Sequence, residues 1–348
     1  MLRLRSEVTI KGDQTWVFDA LSSCTIVEDT ESLTDTCVIT LPKKIRWQGV
    51  PKQENDALNY IPPIKRGDHI MVRLGYTPPG MPPSDSDLKA RFVGYVRRVD
   101  AKAPIKIECE DGMFLLKVAP TKQIGFPNPK LKELIGFLLK GRNIAYQVIG
   151  DDIELGRYRI TRPTVAQELN ELKRERGFRA YFRQMPDKAD PRKTKSVLYV
   201  GYDYPFDIKK KESFIHSKNI INEELEFRRA EDIKLKVKAT SVDRKNRRLE
   251  VNMGDKDGEE IQVFANNIGY DALKLFAEKA LDRYKYTGYQ GSIETFGEPV
   301  VHKCEGVHLE ISDGNQGDYL IKKVEVNFGT SGYRQKIELG PPLKVEKK

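Results

Sequence analysis

Two distant stretches of the chain spell nearly the same β-strand pattern. Gly67-Asp68-His69-Ile70 opens one and Gly306-Val307-His308-Leu309 the other. Each runs on to a basic pair before valine, Arg97-Arg98-Val99 and Lys322-Lys323-Val324, and each then reaches Lys-Ile-Glu, at Lys106 to Glu108 and at Lys336 to Glu338. This constrains the fold more than composition does, because a pattern that recurs implies a supersecondary unit that forms twice. The expectation is one chain with two copies of a β-rich unit. Tandem β units suit a ring or tube of repeated subunits better than an active site.

The local patterning agrees. Ile70, Val72, Leu74 and Tyr76 alternate with polar or small partners, as do Ile105, Ile107 and Cys109, and Cys37, Ile39 and Leu41, which is the period of strands with one wet face. Two long irregular segments interrupt this first third, residues 43–65 and the Pro-rich stretch 77–89. Loops of that length are usually functional or disordered. In the middle third, Asn128 and Pro129 predict a helix N-terminus for the apolar face Leu131, Leu134, Ile135, Leu138 and Leu139, with Gly141 ending the helix. Thr164 and Gln167 predict a capping box for a second helix that stops at Gly177. Short strands follow each helix, around Ile144 to Val148, Phe178 to Phe182 and Leu198 to Gly201.

The last third returns to sheet. Ile233, Leu235, Val237 and Ala239 alternate, Leu249, Val251 and Met253 pair back after a basic turn, and a helix carries the stripe Ala272, Leu273, Phe276, Ala277, Ala280, Leu281 and Tyr284. After Tyr319 and Ile321 the apolar parity slips by one to Val324, Val326 and Phe328. A slip would turn the strand inside out, so Lys322-Lys323 predicts a β-bulge. The final hairpin turns at Gly329 to Gly332. The reading is mainly β with an α+β insertion: a first β domain over 1–120, a small α+β domain over 121–205 and a second β domain with one helix over 206–348.

Bulk properties exclude several classes. A chain of 348 residues buries roughly three quarters of the surface its unfolded form exposes and needs no staples. The four cysteines, Cys24, Cys37, Cys109 and Cys304, form no CxxC pair, and the N-terminus lacks the apolar run of a signal peptide. Cytoplasmic synthesis without disulfides is expected, and no apolar run approaches the roughly 20 residues of a membrane span. The net charge of +9 arises from 60 basic against 51 acidic residues, a modest excess on a mixed surface. The basic clusters Lys209-Lys210-Lys211 and Arg244-Lys245-Asn246-Arg247-Arg248 read as solvated turns before they read as phosphate patches, since no aromatic platform accompanies them.

Enzyme signatures are missing from the sequence: it contains no GxSxG elbow, HExxH pair, Walker loop or dinucleotide fingerprint. His302, Cys304 and His308 are the best candidates for metal ligands, with 302 and 304 on one strand face, yet a fourth ligand has no candidate. Asp255-Lys256-Asp257-Gly258 resembles the start of a calcium loop but lacks the closing glutamate, and a hairpin turn explains it more simply. Trp16, Trp47, Tyr284, Tyr286 and Tyr289 could bind sugar; aromatics at this density more often fill cores and interfaces. No catalytic, cofactor or metal residue is therefore expected. A glycan-binding or glycan-cleaving β protein, and less strongly a basic nucleic-acid-binding protein, remain as alternatives.

The order Arg66-Gly67-Asp68, a Pro-rich gap, Phe92-Val93-Gly94-Tyr95-Val96 and then Cys109-Glu110-Asp111 resembles the first tube-type barrel of the baseplate hub proteins of contractile-tailed phages. That family includes the late control D proteins and the hub part of type VI secretion spikes. Thr164 to Phe182, followed by Leu198-Tyr199-Val200-Gly201, is similar to the helix-then-strand element of the same proteins. Phe296-Gly297-Glu298-Pro299, Gly306, Gly317-Asp318-Tyr319-Leu320 and Gly332-Tyr333-Arg334 resemble their second barrel. The resemblance implies two tube-type β-barrels flanking the α+β domain. It also implies a homotrimeric virion structural protein, a symmetry adaptor between a hexameric tail tube and a trimeric spike. Its implied partners are its own copies, the tail tube protein, the central spike protein and other baseplate proteins, with no membrane insertion and no specific nucleic acid. The chain would be made in the bacterial cytoplasm and then join the tail baseplate or injection machine. No lysozyme or spike β-helix is recognisable in this chain, so wall degradation or piercing would fall to a separate partner.

Overall fold

The computed structural model describes residues 3–42, 63–100, 102, 104–149, 153–186, 194–201, 211–243, 245–265 and 267–343. The expected long segment 43–65 therefore lies, for 43–62, outside the described residues. The first half contributes seven strands: β1 (Arg3–Lys11), β2 (Thr15–Phe18), β3 (Ser23–Asp29), β4 (Thr36–Thr40), β5 (His69–Thr77), β6 (Leu88–Asp100) and β7 (Lys106–Glu110). The predicted alternation holds at the core: Ile70, Val72 and Leu74 of β5, Cys37 and Ile39 of β4, and Ile107 and Cys109 of β7 are all buried. The β5–β6 connection is exposed over 78–86, but its far end is tied down. Ser84 and Asp87 form a capping box, Thr77 Oγ1 donates to Asp87 Oδ2 at 2.7 Å, and Arg73 reaches Asp85 at 2.5 Å.

The middle follows with α1 (Met113–Val118), β8 (Gly125–Phe126), α2 (Leu131–Leu139), β9 (Ala145–Ile149), β10 (Tyr158–Arg159), α3 (Val165–Arg176), β11 (Arg179–Pro186) and β12 (Thr194–Gly201). The α3 boundaries fall where the sequence places them, with Thr164 and Gln167 completing the capping box and Gly177 at φ +69°. The start of α2 differs from expectation: its N-cap is Lys130, not Asn128. Asn128 instead donates to Glu154 at 3.1 Å, and Leu155 N–H donates to Pro129 O at 3.0 Å, which holds the approach to the helix extended. β11, β12 and β9 form a three-stranded sheet.

The second half contains β13 (Lys211–Ile215), β14 (Ile220–Arg228), β15 (Leu235–Val242), β16 (Arg248–Gly254), β17 (Glu259–Phe264), α4 (Tyr270–Tyr284), β18 (Gly288–Phe296), β19 (Gly306–Glu310), β20 (Gln316–Gly329) and β21 (Gly332–Pro342). Within it, β15, β16 and β17 form a separate sheet. Val237, Ala239, Val251, Leu273, Phe276 and Ala277 bury their side chains with those of the middle helices. The exposed end of the predicted stripe is Tyr284, 50% accessible.

The duplication is visible in strand order. The first half runs β1-β5-β6-β7-β4-β3 across its sheet and the second β13-β19-β20-β21-β18-β14. Registers match too. In the first half Val96 faces Cys109, Arg98 faces Glu108, Val99 faces Ile107 and Asp100 faces Lys106, with a register shift between Val96 and Arg98. In the second half Ile321 faces Leu339, Lys323 faces Glu338, Val324 faces Ile337 and Glu325 faces Lys336, with the shift between Ile321 and Lys323. The predicted bulge at Lys322 thus recurs at Arg97. The Gly-x-His part of the repeat does not keep step: Tyr95 pairs with His69, but its counterpart Leu320 pairs with Gly306, two residues before His308. Gly67 (φ +95°) belongs to the turn before β5, whereas Gly306 lies inside β19. One pairing also differs in direction, since β1 and β5 are antiparallel and β13 and β19 parallel.

The expectation of two tube-type barrels meets a difference here. The halves merge into one thirteen-stranded sheet through β3 and β20, over Lys323 to Gly329 against Asp29 to Ser23. No pairing among the described residues closes either half into a barrel. The reason is local: β3 has two edges, and β4 takes one while β20 takes the other. One core runs beneath both halves, from Ile26, Ile39 and Val72 to Val324, Val326 and Ile337.

Candidate functional site

The densest polar chemistry lies where the halves and the middle meet. The segment between β18 and β19 carries His302-Lys303-Cys304, the cluster singled out from the sequence, and its side chains reach β3, the β3–β4 turn and β11. His302 Nδ1 lies 2.9 Å from Glu28 Oε1 on β3. Lys303 Nζ lies 2.6 Å from Asp35 Oδ1 in the β3–β4 turn and 5.1 Å from the centre of the Tyr181 ring on β11. Cys304 Sγ donates to Tyr181 Oη at 3.3 Å. His308 sits apart on β19, 2.8 Å from Asp318 Oδ1, a carboxylate that also pairs with Lys211. The three candidate side chains therefore diverge, and no group of three or more such side chains could hold a metal among the described residues.

Further buried groups complete the network. Asp111, ahead of α1, accepts from the Asp35 N–H at 3.2 Å and the Met113 N–H at 3.0 Å. Arg91, wholly buried on β6, donates to Val301 O at 3.2 Å and to Gln335 Oε1 at 3.4 Å, so the first half grips the second. Tyr76 Oη donates to Tyr333 O at 2.5 Å across the same boundary. One ammonium faces two buried carboxyls. Burial raises both, Asp111 to about 6. Burial penalises charged His302 and ionised Glu28, yet each offsets the other's cost: the histidine's pKa is raised and the glutamate's lowered. Burial likewise pushes the Cys304 thiol up to about 11, which leaves it protonated and poorly nucleophilic. Among the described residues this cluster holds no reactive nucleophile beside a base.

The remaining sequence candidates are scattered. Asp255 Oδ2 accepts from the Leu235 N–H at 3.1 Å and pairs with Lys285, so the first carboxylate of the calcium-like segment is already spent on protein groups. Its turn is not the expected hairpin, because β16 and β17 lie on either side of β15 and do not pair with each other. Trp47, Lys209, Lys210 and Arg244 lie outside the described residues. Arg247 pairs with Asp243 at 2.7 Å and Arg248 with Glu250 at 2.5 Å, as a solvated turn would have them. Tyr289 is buried against Phe227 and Tyr319, while Tyr284 is exposed on α4. A cleft of about 850 Å³ opens between the β3–β4 turn and the start of α3. Its charged groups, Lys117, Arg162 and Glu171, are paired with Glu110 and with each other. No helix among the described residues is long and apolar enough to cross a membrane. Glu28, Asp35, Asp111 and Arg91 were missed from the sequence; a charged residue at a core-facing strand position, such as Glu28, was the available signal.

No protein-family model matches the sequence, and no curated protein matches it significantly. Solved structures do. A tail protein from Neisseria meningitidis superposes with a TM-score of 0.64 at 13% identity, over 97% of this chain and 96% of that one. The 43 kDa tail protein of prophage MuSo2 from Shewanella oneidensis gives 0.61 at 16% identity, over 97% and 98%. An Escherichia coli component of the type VI secretion system, described as structurally similar to bacteriophage T4 tail proteins gp27 and gp5, gives 0.59 at 9% identity, over 97% and 77%. At these identities the likeness is one of fold, and it spans nearly the whole chain.

Proposed function

We propose that the chain is a structural hub of a contractile tail baseplate or injection machine, made in the bacterial cytoplasm and built into the tail. It acts as a homotrimer that adapts a hexameric tail tube to a trimeric spike, with other baseplate proteins around it. The single observation that carries this reading is the repeat. One strand order and one bulged register recur in both halves of a chain whose fold follows tail proteins from end to end. Two like units per chain present six similar surfaces only when three chains close into a ring. The buried joint supports the same role, because a load-carrying ring needs its two units held at one fixed angle. The chain itself performs no hydrolysis.

Light scattering on the purified protein tests this reading. The expected result is three times the chain mass, with electron microscopy showing a ring around a central channel; permanent rings of this kind commonly bury on the order of 2,000 Å² or more per interface. A monomer at every concentration, alone and with the spike protein, refutes it.

A further inference from the structure

The joint inside the chain is a template for a joint between chains. Within one chain, β3 of the first half pairs antiparallel with the C-terminal part of β20 in the second, placing Asp29, Glu28 and Val27 opposite Lys323, Val324 and Glu325. The repeat assigns each of these strands a counterpart. The matching registers make Arg98, Val99 and Asp100 of β6 the equivalents of Lys323, Val324 and Glu325. On the other side, Val38 and Ser292 face the equivalent glutamates Glu108 and Glu338, and they face Thr25 of β3 and Glu224 of β14 respectively. Val27, Glu28 and Asp29 therefore correspond to Glu226, Phe227 and Arg228.

These counterparts do not meet each other within the chain. β14 ends the strand path, and its outer edge carries no strand among the described residues. β6 pairs with β5 only as far as Tyr95, so past Val96 it pairs only with β7 among the described residues. Burial reports the same asymmetry. Glu28 is 3% accessible and Val324 0%, whereas Phe227 is 49% accessible and Val99 half-buried. A nine-residue edge strand carrying exposed Ile221 and Phe227 is a site for pairing with another chain.

We infer that the β14 edge of one copy pairs antiparallel with residues 97–100 of β6 in a second copy, reproducing between chains the β3–β20 joint. The inference rests on the hub reading above and names its contact. In the inherited register Val99 faces Phe227 on the core side of the sheet, an apolar pair where the internal joint has Val324 and Glu28. On the wet side Arg98 and Asp100 stand diagonal to Glu226 and Arg228 respectively, within reach of long side chains. Arg98 directly faces Arg228 and Asp100 directly faces Glu226, like-charge pairs that oppose the contact. Glu226 and Arg228 already pair with each other at 2.7 Å, so the backbone ladder and the apolar Val99–Phe227 pair carry it. The contact is heterologous, one edge against a different edge, and it closes when the last copy returns to the first.

Cysteine cross-linking tests it. The native cysteines are buried and free, so Val99→Cys and Phe227→Cys add the only engineered reactive sites. Expected are no disulfide oligomer from either single variant, a covalent dimer from their oxidised mixture, and a ladder ending at trimer from the double variant. A trimer by light scattering without these cross-links overturns the edge assignment and leaves the hub reading standing. Monomers throughout, alone and with the spike protein, overturn both. As a second variant, Phe227→Glu is expected to abolish the trimer while leaving the circular dichroism of the chain unchanged; an intact trimer contradicts the contact.

Discussion

Replacing Lys303 with methionine keeps the volume and apolar stem of the side chain and removes its charge. At 2.6 Å from Asp35, opposite unit charges attract by roughly 6 kcal/mol at an effective dielectric near 20. Methionine avoids the desolvation of the ammonium, which offsets part of that figure. What remains is an uncompensated buried carboxylate, and breaking such a pair costs about 3–5 kcal/mol. Asp35 and Asp111 then share the site with Glu28 and no lysine, so each binds a proton more tightly in the folded chain than in the unfolded one. A raised folded pKa gives stability that is full below the unfolded value and lost as pH rises through the folded value. The variant's deficit is therefore small near pH 4 and grows as pH rises through about 6, where Asp111 ionises in the parent. Urea denaturation followed by circular dichroism at pH 5 and pH 8 measures it without changing ionic strength. Adding Asp35→Asn to Lys303→Met is expected to recover a coupling energy of about 1–3 kcal/mol. A deficit below about 1 kcal/mol at pH 8, or one equal at both pH values, refutes the view that this pair locks the joint.

Two further outcomes follow from the same residues and from the loop. His302 has a raised pKa from its Glu28 partner, so its contribution is present below about pH 6.5 and lost as pH rises through the folded value. The thermal midpoint of the parent should fall over that window, and His302→Gln should flatten the fall; equal slopes in parent and variant would remove the ion pair from the account. Excising 79–83 from the β5–β6 connection, while keeping the Ser84–Asp87 box that anchors it, roughly halves the loop and changes closure entropy by about 0.6 kcal/mol. Folding should survive, and assembly with partners should fail on the expectation that this exposed segment touches a neighbouring subunit, the tube or the spike. Functional particles built with the shortened chain would make the loop a passive connector.

Much of the fold was legible in local pattern. Thr164, Gln167 and Gly177 specify α3 because capping is settled by groups within one turn of the helix end. The parity slip at Lys322 announces a bulge because side chains alternate every residue along a strand, so one extra residue must be accommodated in place. The same logic made the Lys-Ile-Glu repeat readable, and the structure pairs both copies in one register. Local pattern could not choose partners for strand edges. Nothing in the alternation of β3 or β20 says that they pair with each other, nor that β13 runs parallel to β19, because backbone edges carry no residue identity. Nor did the stripe on α4 reveal that it packs on β15 and β16, in a core shared with the middle helices, instead of on the large sheet, since an apolar face specifies burial but not what covers it. The joint was least legible of all. His302 and Glu28 are separated by 274 positions, and neither local pattern names the other as its partner. Only the merging of the two halves at β3 and β20 withdraws them from water together, and burial then makes their pairing obligatory.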